Sequence, residues 1–160
     1  MEAKFYTSTE AAEITKCSRR QLQYWRDKGV VIPTVNTTGK GRNVYYSESE
    51  LLALFLMHYL LSFGLSFEVC REALTIFREK EPWMFDQFFP QEKMKRLMLL
   101  TSQSEEQDLK LVDFNPKVAL EAICQGQAVI PLWCDRIHEL LHQNLKSSTQ
   151  EISKSSSVEI

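Results

Sequence analysis

Long apolar runs are missing from this 160-residue sequence. The longest, Leu51 to Leu61, is interrupted by His58 and falls short of the roughly 18 residues that a bilayer span needs. The opening residues MEAKFYTSTEAAE hold no apolar segment of the secretory kind, so a cytoplasmic protein with no membrane partner is expected. Cys17, Cys70, Cys124 and Cys134 form no C-x-x-C pair. In a cytoplasmic chain they are expected to be reduced and mostly buried. The P-loop, G-x-S-x-G and H-E-x-x-H patterns are absent, and Gly39-Lys40-Gly41 opens no helix that would cradle a phosphate. Asp113 and Glu121 are too isolated for paired-carboxylate chemistry. Neither an enzyme nor a cofactor is expected. Internal repeats are absent too.

A strong net charge is also lacking: the total is −2. Its distribution is uneven. Residues 1–46 hold eight Lys or Arg against four acids, and the remainder hold eleven against seventeen. Nucleic-acid binding needs a local basic surface rather than a basic protein, because only nearby phosphates release counterions. Any such surface belongs to the first third of the chain.

The pattern there is helical, then extended. Residues 9–14 read as a short helix, with Ser8 or Thr9 as its N-cap. Lys16-Cys17 makes a tight turn. Ser18 caps a second helix, Arg19 to Lys28, with Leu22 and Trp25 on one face and Gly29 at its end. Thr34 to Tyr46 reads as a β-hairpin with a flexible tip at residues 37–41. Ser47 caps a third helix, ending near Gly64, and Ser66 opens a fourth, which Pro82 ends by about Lys80.

Residues 81–92 carry two prolines and four aromatic side chains and read as a connector. Residues 93–145 read as a small α/β unit in the order β-β-α-β-α, and the Ser- and Lys-rich residues 146–160 as a disordered tail. The expected fold is therefore mainly α with small β elements. It comprises an N-terminal winged helix-turn-helix (1–80), the connector, and a C-terminal α/β unit for dimerisation or effector response.

Two short helices joined by a tight turn can place the second in a DNA major groove. The outer face of this one offers Arg19, Arg20, Gln21, Gln23, Tyr24 and Arg26 after the cap Ser18. Arg suits guanine or phosphate, Gln suits adenine, and Tyr suits a phosphate oxygen or an apolar base contact. Lys40 and Arg42 at the hairpin tip, with Tyr45 beyond, would clasp the flanking backbone. Trp25 has two readings: a DNA contact, or a core anchor.

The run FYTSTEAAEITKCSRRQLQYWRDKGVVIP, the hairpin ending YYSESEL, and the following LLSFGLSFEVCREAL together resemble the opening of MerR-family regulators. The nearest likeness is to an FtsR-like subgroup of small MerR relatives. The resemblance covers about residues 5–78. It implies a homodimeric transcriptional regulator on a two-fold double-stranded DNA site, with RNA polymerase as a further partner. It also implies that Arg20, Tyr24 and Trp25 occupy positions the family uses against DNA. Two positions depart from the family: Gln23 stands where Arg is usual in the helix, and Val44 where Arg is usual in the wing. The family's long dimer helix is not expected directly after the fourth helix, because Pro82 and Pro90 interrupt the chain. Dimerisation is expected to use residues 93–145.

Two further readings stay open. A protein-interaction adaptor would keep the fold without DNA binding, in line with Gln23 and Val44. A ligand- or metal-responsive regulator would use Cys134, His138 and His142, which share a helix face, or the aromatics Trp83, Phe85, Phe88 and Phe89. Those aromatics serve equally as hydrophobic cement, and the Cys–His face as an ordinary helix flank.

Overall fold

The computed structural model describes residues 4–36, 44–102 and 109–157, with side chains described as far as Ser148. The chain divides into two compact units. One joins residues 1–59 to 139–160, and the other spans 60–138. The boundaries fall within two helices rather than at residue 80.

The first unit opens with a strand, β1 (Phe5–Thr7), and then the helices α1 (Ser8–Thr15) and α2 (Arg19–Asp27). Three residues are too few for a strand pattern to declare itself in sequence, so β1 is an addition to the expected elements. The N-cap of α1 is Thr7, not Ser8 or Thr9. Its Oγ1 accepts from the Glu10 N–H at 3.2 Å, and the Glu10 carboxylate accepts the Thr7 N–H at 3.0 Å. This reciprocal box needs an acid three residues after the cap, and only Thr7 has one there. Lys16 ends α1 in the left-handed region at φ 65°, so the tight turn is made by a non-glycine residue. Ser18 caps α2 as expected, in a second box with Gln21.

After α2 the chain adds β2 (Val35–Asn36), β3 (Val44–Ser47) and α3 (Glu48–Ser62). The sheet order is β1-β3-β2, antiparallel throughout, with Tyr45 opposite both Thr7 and Val35. Ala11, Ile14, Leu22, Trp25, Val31, Tyr46 and Leu54 build the core. Every residue from Leu51 to Met57 is buried, as befits a helix apolar on all sides.

In the second unit, α4 (Phe67–Lys80) precedes two short 3-10 turns (Pro82–Phe85 and Gln91–Lys93) and the strands β4 (Arg96–Thr101) and β5 (Lys110–Asp113). Then come α5 (Pro116–Cys124), β6 (Ala128–Trp133) and α6 (Cys134–Ser157), whose residues from Glu139 onward belong to the first unit. The expected order β-β-α-β-α is present. The sheet order is β5-β4-β6, and β4 is buried on both faces. Met98 and Leu100 pack with Ala119 and Ala122 of α5. Leu97 and Leu99 face the other way, paired with Leu132 and Ile130. Pro131 stands on the edge strand β6, where a missing N–H costs no ladder bond.

The connector aromatics pack locally. Phe85 meets Phe77 of α4 edge-on at 5.9 Å, and Trp83 meets Phe89 at 4.9 Å. Phe88 remains 65% exposed. Cys134 is fully buried, and His138 holds a ring nitrogen 2.9 Å from the Met84 carbonyl oxygen.

The expected tail needs correction. Helix α6 continues to Ser157. A Ser- and Lys-rich stretch with no Gly or Pro extends a helix already nucleated upstream, since adding a residue costs far less than starting one. No helix among the described residues is long and apolar enough to cross a membrane.

Candidate nucleic-acid interface

Helix α2 buries Leu22 and Trp25, each 2% exposed, and turns its opposite side to solvent. The 3.6-residue period then aligns Arg19, Gln23 and Arg26 in one row flanking the buried side, with Arg20 beside it. These four side chains form one wall of an open groove of about 600 Å³. Thr7, Ser8 and Thr9 at the start of α1 close one side, and Val44, Tyr45 and Tyr46 of β3 close the other. The groove is thus bounded by α2, β3 and the start of α1.

Among the described residues its lining carries three guanidinium groups and no carboxylate. Neither Arg19, Arg20 nor Gln23 spends its side chain on another described residue. Arg26 lies half-buried near Tyr46, and its charge partly offsets the burial that pushes the Tyr46 hydroxyl above its ordinary pKa. Tyr46 is 1% exposed and serves as floor. Val44 of β3 is buried as well, so it shapes the groove rather than adding charge.

The structure brings Arg19, Arg20, Gln23, Arg26 and Tyr45 together at this groove. Tyr24 is 45% exposed, with the Lys28 ammonium 5.7 Å from its ring centre, on the adjoining side of α2. Ser18 and Gln21 are engaged with each other. The Gln21 Oε1 accepts the Ser18 N–H at 2.9 Å, and the Ser18 Oγ accepts the Gln21 N–H at 3.0 Å. Trp25 is a correction: it belongs to the core, because its helix position is one turn from Leu22 on the buried face. Lys40 and Arg42 lie outside the described residues. Thr7, Ser8 and Thr9 were not anticipated as lining residues. Their place depends on β1 pairing with β3, a contact some forty residues apart in sequence.

Residues 6–75 match the family described as MerR HTH family regulatory protein. They form a MerR-type helix-turn-helix domain. Similar proteins include an uncharacterised HTH-type transcriptional regulator of Mycobacterium bovis, and one from each of two Mycobacterium tuberculosis strains, CDC 1551 and H37Rv. Each is 30% identical over 76 residues, covering 47% of this chain and 34% of the relative. The chain thus spans about a third of the length of these curated relatives. A crystal structure of a MerR-family transcriptional regulator from Bacillus cereus aligns over 96% of this chain and 76% of its own, at 14% identity and a TM-score of 0.42. That likeness is too distant to carry structural detail. The groove is formed by α1, α2 and β3 of this domain, and every lining residue lies within the matched span.

Proposed function

We propose that this protein is a transcriptional regulator that binds double-stranded DNA sequence-specifically, as a homodimer on an inverted repeat. The observation that carries this reading is the groove of the MerR-type domain. Among the described residues, three arginines, no carboxylate and one unengaged amide line it along the polar side of the second helix. Guanidinium groups pair with phosphate oxygens and guanine edges, and an α-helix fits the major groove. Residues 93–145 are assigned to dimerisation or effector response. RNA polymerase is the further partner that a regulator acting at a promoter would meet.

Selection of duplexes from a random pool tests the proposal, followed by titrations at several salt concentrations. Enrichment of a two-fold repeat, with affinity falling steeply as salt rises, is the expected result. Absence of enrichment and of salt-dependent binding would overturn it. The adaptor reading would then stand, and it draws on Gln23 and Val44, two groove positions without a charge.

A further inference from the structure

We infer that Gln23 is the side chain that reads base identity, and that it selects an adenine in each half-site; this rests on the DNA-binding reading above. The argument begins with hydrogen-bond chemistry. In the major groove adenine presents an acceptor, N7, beside a donor, the N6 amino group. A side chain that matches both must donate and accept at once. Arginine only donates, so Arg19, Arg20 and Arg26 match guanine or phosphate but cannot accept from adenine N6. A carboxamide does both.

Helix α2 carries two glutamines, and their situations differ. Gln21 is committed to the capping box, with its Oε1 bound to the Ser18 N–H. Gln23 is exposed, lines the groove and has no partner among the described residues. Its place in the row adds a second reason. Arg19 lies one turn before it and Arg26 one turn after, so the row extends about 10 Å along the axis. The amide is thus flanked along the helix by guanidinium groups suited to phosphate, while its own chemistry suits a base edge. Phosphate contacts set register while base contacts set sequence.

Duplex selection with the full-length wild type, Gln23→Arg, Gln23→Ala and Gln21→Ala tests the inference. Replacement of the selected adenine by 7-deazaadenine, which lacks the N7 acceptor, then probes the contact directly. Gln23 is exposed, so its variants should keep the fold, and circular dichroism checks this. The wild type should enrich a repeat with one invariant adenine per half-site. Gln23→Arg should change that adenine to guanine. The deaza substitution should weaken the wild type about fivefold, as loss of one of the two hydrogen bonds of a bidentate base contact implies, and leave Gln23→Ala unmoved. Gln21→Ala should keep the adenine.

If wild type and Gln23→Arg enrich the same repeat, or if 7-deazaadenine has no effect, the inference fails while DNA binding stands. If the wild type enriches no sequence, sequence-specific DNA binding fails and the inference with it.

Discussion

The side-chain amide of Asn144 donates to the carbonyl oxygen of Ile14 at 3.0 Å, across 130 positions of sequence. Ile14 is in the last turn of α1, where carbonyl groups have no partner within the helix. The first helix of the helix-turn-helix is therefore closed by a residue near the other end of the chain. Asn144→Ala should lower unfolding free energy by about 1 kcal/mol, as for a hydrogen bond of this kind. Urea titration of the variant measures this. An unchanged midpoint would mean that water replaces the amide at no cost.

Trp25 separates stability from binding. Trp25→Ala should cost roughly 3–5 kcal/mol, as for other large-to-small changes in a packed core. Arg20→Ala, on an exposed position, should stay within about 0.5 kcal/mol. Thermal melts compare the two, and a small loss at Trp25 would restore it as a surface residue.

The arginines of the groove should act on the salt dependence. Arg19→Ala and Arg20→Ala should each reduce the slope of log affinity against log salt by about one, as for a lost phosphate contact. Fluorescence titrations over a range of salt concentrations give these slopes. A slope equal to the wild type's would remove that residue from the contact set.

Glu50 should hold the base of the wing. Its carboxylate accepts the Thr34 N–H at 3.0 Å, the Thr34 hydroxyl at 2.6 Å and the Ser47 N–H at 2.7 Å. These donors flank β2 and end β3, so one side chain ties both strands to the start of α3. Glu50→Ala should weaken DNA binding and cost about 1 kcal/mol of stability through the lost cap. Glu50→Gln should retain most of both, because its amide oxygen can accept two N–H groups while its NH₂ donates to the Thr34 hydroxyl. Binding titrations on the two variants decide: equal loss in both would show that charge, rather than the three-way contact, matters.

Alkaline pH should destabilise the fold. Burial pushes the Cys17 thiol from 9.0 up to about 11. Burial, then the Glu48 charge and hydrogen bond, push the Tyr6 hydroxyl from 10.0 to about 12. Each folded-state value lies above the unfolded one, so the folded chain holds its protons more tightly. The stability is fully present below about pH 9 and is lost as pH rises toward 11 and 12. Melting temperature followed from pH 7 to 11 should fall at the upper end, and Cys17→Ala should flatten part of that fall.

Local chemistry made the helix-turn-helix legible in sequence. Ser18 and Ser47 cap helices through contacts three residues away, and Gly29 and Gly64 end them at positive φ. The polar row of α2 follows from the helical period alone. Thus Arg19, Arg20, Gln23 and Arg26 could be read before any fold was known. The same period places Trp25 with Leu22, yet a tryptophan suits either a core or a contact, and only its 2% exposure decides between them.

What the sequence by itself determined is the order of elements after β1, the basic balance of the first third of the chain and the span and polar face of α2. All rest on interactions within a few positions, where the backbone leaves little choice. Tertiary structure alone decided that Thr7, Ser8 and Thr9 join the groove, that Tyr46 lies under it, and that α6 returns to the first unit, where Asn144 caps α1. These depend on contacts between distant segments. Loop closure makes many such pairings comparable in entropy, so the choice falls to packing of the whole core, which no local pattern encodes.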